Sequence, residues 1–148
     1  MQKVLVVVDM QNDFIDGALG TKEAVAIVPN VEEKIKNFDG GVLFTRDTHE
    51  TYYLDTQEGK KLPVPHCIRD TEGWQIRSEL DALRKTEPID KETFGSTDLA
   101  GKLVAMNEDD EIESITFVGL CTDICVISNA LLTKASLPEA LLYRESGE

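Results

Sequence analysis

Lys3-Val4-Leu5-Val6-Val7-Val8-Asp9 is an unbroken, β-rich apolar run that stops at a carboxylate. Runs of this kind suit a central strand of a parallel sheet, buried on both faces. The run is too short for a secretory signal and lacks a small-residue cleavage site, so it reads as a strand. Working outward, Pro29 to Phe38 carries apolar residues at Val31, Ile35 and Phe38, a helical spacing with a proline near its start. Gly40-Gly41 stops it, and Val42-Leu43-Phe44-Thr45 is a second strand ending at Arg46-Asp47. Thr48 to Thr71 is polar and long, the kind of segment that in a compact domain is usually functional.

The alternation continues. Ile76, Leu80 and Leu83 predict a short amphipathic helix, and Glu87 to Asp90 a weak strand. Ser96 caps a helix through Leu99, Leu103 and Met106. Ile112 to Val118 is a strand ended by Gly119, and Thr122 or Asp123 caps a helix running to about Ser136. A last short strand is expected near Leu141–Tyr143. This order predicts an α/β fold, a Rossmann-like doubly wound parallel sheet flanked by helices, in one domain over residues 1–148. In such sheets sites gather at the carboxyl ends of the strands. Asp9, Asp47, Lys91 and the Gly119–Cys125 segment all follow predicted strands, so they are expected to converge.

Composition narrows the partners. The 148 residues carry a formal net charge of −13, and no Lys/Arg cluster stands out. An acidic surface repels phosphate backbones and anionic lipid, so nucleic acid and membranes are excluded as expected partners. No apolar stretch approaches the roughly 20 residues of a membrane span. Three cysteines, Cys67, Cys121 and Cys125, are an odd count with no redox or zinc spacing, which points to a reducing cytoplasm.

The candidate chemistry lies in six residues. Cys125, near a helix start, is placed where aligned peptide dipoles favour a thiolate nucleophile; an inert core cysteine is the competing reading. Asp9 can take the thiol proton and return it to a leaving amine, or merely cap a loop. Lys91 can hold the pair and lower the thiol pKa, or be a surface lysine. Asp47 and His49 at i, i+2, with His66, form a carboxylate–imidazole set suited to zinc, iron or manganese. The chain has only 2 histidines, and both belong to this set. Glu58 and Asp55 lie between them as further ligand candidates. Phe14 can wall an apolar slot for a flat ring or pack in the core. Trp74 is expected in the core, and Cys67 and Cys121 are read as structural.

The pieces Val8-Asp9-Met10-Gln11-Asn12-Asp13-Phe14, Thr45-Arg46-Asp47-Thr48-His49, Pro65-His66-Cys67, Lys91-x-x-Phe94 and Gly119-Leu120-Cys121-Thr122-Asp123-x-Cys125-Val126 occur in family order over most of the chain. In them the sequence resembles the nicotinamidase/pyrazinamidase branch of the isochorismatase-like cysteine hydrolases. The resemblance implies a Cys125/Asp9/Lys91 triad and a divalent metal, zinc first, on Asp47, His49 and His66. It implies a cis peptide between Leu120 and Cys121, with the N–H groups of Cys121 and Cys125 forming an oxyanion hole. Phe14 and Leu120 would contact a small heteroaromatic amide such as nicotinamide, which is hydrolysed to the acid and ammonia in pyridine nucleotide metabolism.

Two departures accompany it. Many relatives carry an aromatic where this chain has Pro63, and relatives usually continue into a last strand and helix. An uncovered sheet edge would follow, and with it a homo-oligomer or poor stability. A family hydrolase with another substrate, such as a ureido compound, is the alternative enzyme, and a non-catalytic remnant the alternative outside enzymes. A phospho-accepting signalling domain would explain an Asp and a Lys at strand ends, but not the Asp-x-His…His set.

Overall fold

The computed structural model describes residues 1–92, 96–120 and 127–145. Five strands form one sheet in the order β3-β2-β1-β4-β5. They are β1 (Gln2–Val8), β2 (Gly41–Asp47), β3 (Ile89–Lys91), β4 (Ile112–Gly119) and β5 (Leu141–Glu145). All four pairings are parallel. Strand β1 lies in the middle, and Val4 through Val8 are wholly buried, as a continuous apolar run requires.

The pleat sends alternate β1 side chains to two cores. Val4, Val6 and Val8 pack with Leu99, Leu103, Ile115 and Phe117 on one face. Leu5 and Val7 pack with Ile27, Val31, Ile35 and Phe44 on the other. At about 1.5–3 kcal/mol per fully buried aliphatic side chain, this strand anchors the sheet. Helix α5 (Thr97–Asp109) supplies Leu99 and Leu103. Ser96 caps it by accepting the Leu99 N–H at 3.0 Å.

Helix α2 (Lys22–Asn37) differs from its sequence expectation. It starts seven residues before Pro29, with Thr21 as N-cap accepting from the Ala24 N–H. Ala24, Ile27, Val28, Val31 and Ile35 form one buried stripe that runs straight past the exposed Pro29. Burial of that stripe outweighs the roughly 3 kcal/mol cost of an internal proline. Strand β3 also shifts, to Ile89–Lys91, which puts Lys91 inside the sheet rather than after it.

The polar stretch after β2 is not a bare loop. It holds a 3-10 turn (Tyr53–Asp55) and helix α3 (Gln57–Lys61), capped by Thr56. Short helix α1 (Asn12–Ile15) carries Phe14, α4 (Ser78–Asp81) packs on α2 through the buried Leu80, and α6 (Ile127–Ser136) precedes β5. The expected cap at Thr122 or Asp123 and the expected cis peptide into Cys121 lie outside the described residues. No helix among the described residues is long and apolar enough to cross a membrane.

Candidate active site

Register brings the strand ends together. Val8 pairs with Thr45 on one side and Gly119 on the other, and Asp47 pairs with Lys91. Four segments therefore end on one rim of the sheet. Asp9 leaves the rim in the left-handed region, with φ of 53°, which is uncommon for a residue with a Cβ. Gly119, at φ of 139°, is required where β4 ends: a Cβ there would run into the Val8 carbonyl oxygen.

Asp9 is completely buried. Its Oδ2 lies 2.8 Å from Lys91 Nζ, and its Oδ1 accepts the Thr45 hydroxyl at 2.9 Å. Burial pushes the Asp9 carboxyl above its usual value of 3.8; the Lys91 ammonium offsets this only in part. Lys91 is itself buried, and its Nζ also approaches Asp47 Oδ1 at 3.9 Å. It bridges two carboxylates at adjacent strand ends.

The second carboxylate faces imidazoles. Asp47 Oδ2 lies 3.0 Å from His49 Nε2 and 3.6 Å from His66 Nε2. Burial would raise its pKa too, but hydrogen bonding to the two histidines, with the charges of Lys91 and His49, holds it well below the ordinary range. For His66, burial pulls the ring pKa down, while the Asp47 carboxylate and the Val64 carbonyl more than restore it, leaving it raised.

The loop fixes the two histidines. His49 and Ile68 form a parallel bridge, with the His49 N–H donating to the Cys67 carbonyl at 2.9 Å and the Arg69 N–H to the His49 carbonyl. Cys67 is buried and its backbone N–H donates to Asp13 Oδ2 at 2.7 Å. His66 Nδ1 lies 2.7 Å from the Val64 carbonyl. A carbonyl can only accept, so Nδ1 carries a proton there, which turns Nε2 toward Asp47.

One carboxylate oxygen and two imidazole nitrogens thus lie within 4.8 Å of one another, all on buried residues. The 3.0 and 3.6 Å separations match neighbouring corners around an ion with bonds of about 2.0–2.2 Å. The donor set fits a divalent metal of the zinc, iron or manganese type. Glu58 Oε2 lies 3.2 Å from His49 Nε2, whereas Asp55 is exposed on its 3-10 turn; of the two further candidates, Glu58 is the one at the site.

Phe14 is buried against Cys67 and Trp74, with Leu120 packed beside them, and its ring centroid is 5.5 Å from that of His66. Tyr53, also buried, places its ring 4.6 Å from His49 and 5.1 Å from His66. A cavity of about 600 Å³ opens beside His49, bordered by Tyr53, Glu58, Leu62 and Glu92. That size suits a small molecule.

The structure therefore brings together Asp9, Lys91, Asp47, His49, His66 and Phe14, with Leu120 alongside. Cys121 and Cys125 lie outside the described residues. Sequence reading missed Thr45 and Tyr53. Thr45 was accessible to it, because it shares the strand face of Asp47 at i, i+2. Tyr53 carried no signal, since its place depends on how the loop folds back.

Comparison with known proteins bears on the family and the fold. Residues 3–133 match the model of the isochorismatase domain. The chain is 33% identical, over 88% of its length and 78% of the relative's, to a Bacillus subtilis protein described as the uncharacterized isochorismatase family protein PncA. A solved nicotinamidase/pyrazinamidase PncA from Bacillus subtilis is 26% identical, with a TM-score of 0.75 over 99% of this chain and 85% of that one. Pyrazinamidase of Pyrococcus horikoshii in complex with zinc is 25% identical, with a TM-score of 0.71 over 97% of this chain and 87% of that one.

Proposed function

The chain belongs to the isochorismatase domain family, and we propose that within it the protein is a cysteine amidohydrolase of the nicotinamidase type. Its substrate in this reading is nicotinamide or a similar small heteroaromatic amide, such as pyrazinamide. One observation carries the proposal: a buried Asp9–Lys91 pair at 2.8 Å sits beside a buried Asp47, His49 and His66 donor set, with Lys91 3.9 Å from Asp47. A proton-transfer pair next to a metal-type donor set has a use in opening a neutral amide. The signalling reading leaves the two imidazoles of that donor set unexplained, and the remnant reading leaves the whole set unused.

Asp47, His49 and His66 would hold the divalent metal, zinc first, which supplies a Lewis-acidic anchor for a ring nitrogen. Phe14 and Leu120 border the ring, so that its carboxamide is presented to the rim. Asp9 takes the proton of Cys125, and the thiolate adds to the carboxamide carbon. The N–H groups of Cys121 and Cys125 stabilise the oxyanion. Asp9 returns its proton to the nitrogen and ammonia departs, leaving a thioester on Cys125. Asp9 then accepts a proton from water as water attacks the thioester, and passes it to the departing thiolate, which releases the acid and restores the thiol.

A raised Asp9 pKa suits this shuttle, because a base that must also act as an acid works best when its pKa approaches the working pH. The Lys91 ammonium favours the charged form of that carboxylate. Purified protein should release ammonia from nicotinamide and pyrazinamide, lose the activity to a chelator, and regain it with zinc. Turnover of a carbamoyl amide in preference to both ring amides would instead establish a family hydrolase of another specificity.

A further inference from the structure

Gln11 is wholly buried and lies outside the chemistry described above. Its side-chain amide makes three hydrogen bonds. Nε2 donates to the Asp47 carbonyl and to the Trp74 carbonyl, each at 2.8 Å. Oε1 accepts the Asp47 backbone N–H, also at 2.8 Å. One partner is a donor and two are acceptors, so the orientation of the amide is fixed by what it meets.

The topology explains why this amide is needed. Strand β1 pairs with β2 only as far as Val8 opposite Thr45. The chain then turns away at Asp9, whose own N–H still donates to the Thr45 carbonyl. Asp47 is the next residue of β2 whose N–H and carbonyl point toward β1, and no β1 residue remains to meet them. Both are buried polar groups that require partners. The Gln11 amide supplies them, standing in for one peptide of the missing strand. Through Trp74, whose Nε1 donates to Thr48 Oγ1 at 2.9 Å, the same amide closes a ring of hydrogen bonds around the end of β2.

We propose that Gln11 is a positioning residue for the metal centre: its amide clamps the Asp47 peptide, and so sets where the Asp47 carboxylate stands relative to His49 and His66. The inference rests on the reading of those three residues as metal ligands. Groups that orient a ligand from behind typically change metal affinity about 10–100-fold when removed.

The test is zinc affinity of the metal-free protein, by competition with a chromophoric chelator, with no turnover involved. Gln11→Leu removes all three bonds. Gln11→Glu keeps the shape and an acceptor for the Asp47 N–H but sets oxygen against both carbonyls, so the result does not depend on the leucine variant folding. Leu103→Ala, in the core on the far face of the sheet, is a destabilised comparator, and circular dichroism verifies folding throughout. Both Gln11 variants should bind zinc about 10–100-fold more weakly than wild type, while Leu103→Ala binds it normally. Folded Gln11 variants with wild-type zinc affinity would overturn the proposal, as would an equal loss in Leu103→Ala. If Asp47→Asn binds zinc as tightly as wild type, the metal reading itself fails and the proposal with it.

Discussion

Asp9 and Asp47 are both buried carboxylates at the ends of neighbouring parallel strands, and their surroundings drive them in opposite directions. At Asp9, burial prevails over a single lysine and a hydroxyl, and the pKa rises. At Asp47, two imidazoles and the same lysine prevail over burial, and the pKa falls. The residue type is shared, so the neighbours alone assign the work. A carboxylate whose pKa is raised holds a proton more readily and can hand it on. One held ionised can bind a cation but cannot shuttle. Pairs of titratable groups pushed apart in this way are how one site divides acid–base labour.

The division can be broken most severely at the nucleophile. Cys125→Ala should lower turnover of nicotinamide by on the order of 10⁴-fold or more, while zinc content stays at the wild-type level. Acid-quenched wild-type protein, sampled during turnover, should show the acyl group on Cys125 by mass spectrometry. Persistent turnover in Cys125→Ala would remove the covalent step.

A smaller effect sharpens the Asp9 side. The base must be ionised, so kcat/KM should fall as pH drops through the Asp9 pKa, which lies above 3.8. Lys91 lowers that pKa. Lys91→Met should therefore move the acidic limb upward, by about 1–3 pH units for loss of an adjacent opposite charge. A limb that stays in place or moves down would contradict the pairing.

The smallest effect concerns the slot wall. Phe14→Leu keeps an apolar side chain at a buried position but loses the ring. If Phe14 contacts the substrate ring, a contribution of about 0.5–1.5 kcal/mol is lost and KM rises roughly two- to tenfold, with kcat little changed. An unchanged KM would make Phe14 a core residue only.

Much of this was readable before the structure because the signals were local. The Val4–Val8 run fixes a central parallel strand, and strand ends fix where Asp9, Asp47 and Lys91 converge. The Asp47-x-His49 spacing and the scarcity of histidine mark the donor set. What stayed hidden depends on contacts between segments distant in sequence. Pro29 looks like a helix start until the stripe from Ala24 to Ile35 is seen to be buried. Glu58 and Asp55 are equivalent on paper, and only the fold of α3 brings Glu58 to His49. Gln11 is one polar residue in a motif, and its role follows from where β1 stops.

The central claim is that two neighbouring carboxylates do separate jobs, and it is tested most directly by measuring zinc content and ammonia release together for Asp9→Asn and Asp47→Asn. Asp9→Asn should keep its zinc and lose turnover, whereas Asp47→Asn should lose the zinc, and with it the turnover that depends on it. Zinc lost from Asp9→Asn, or turnover retained by it, would contradict the assignment.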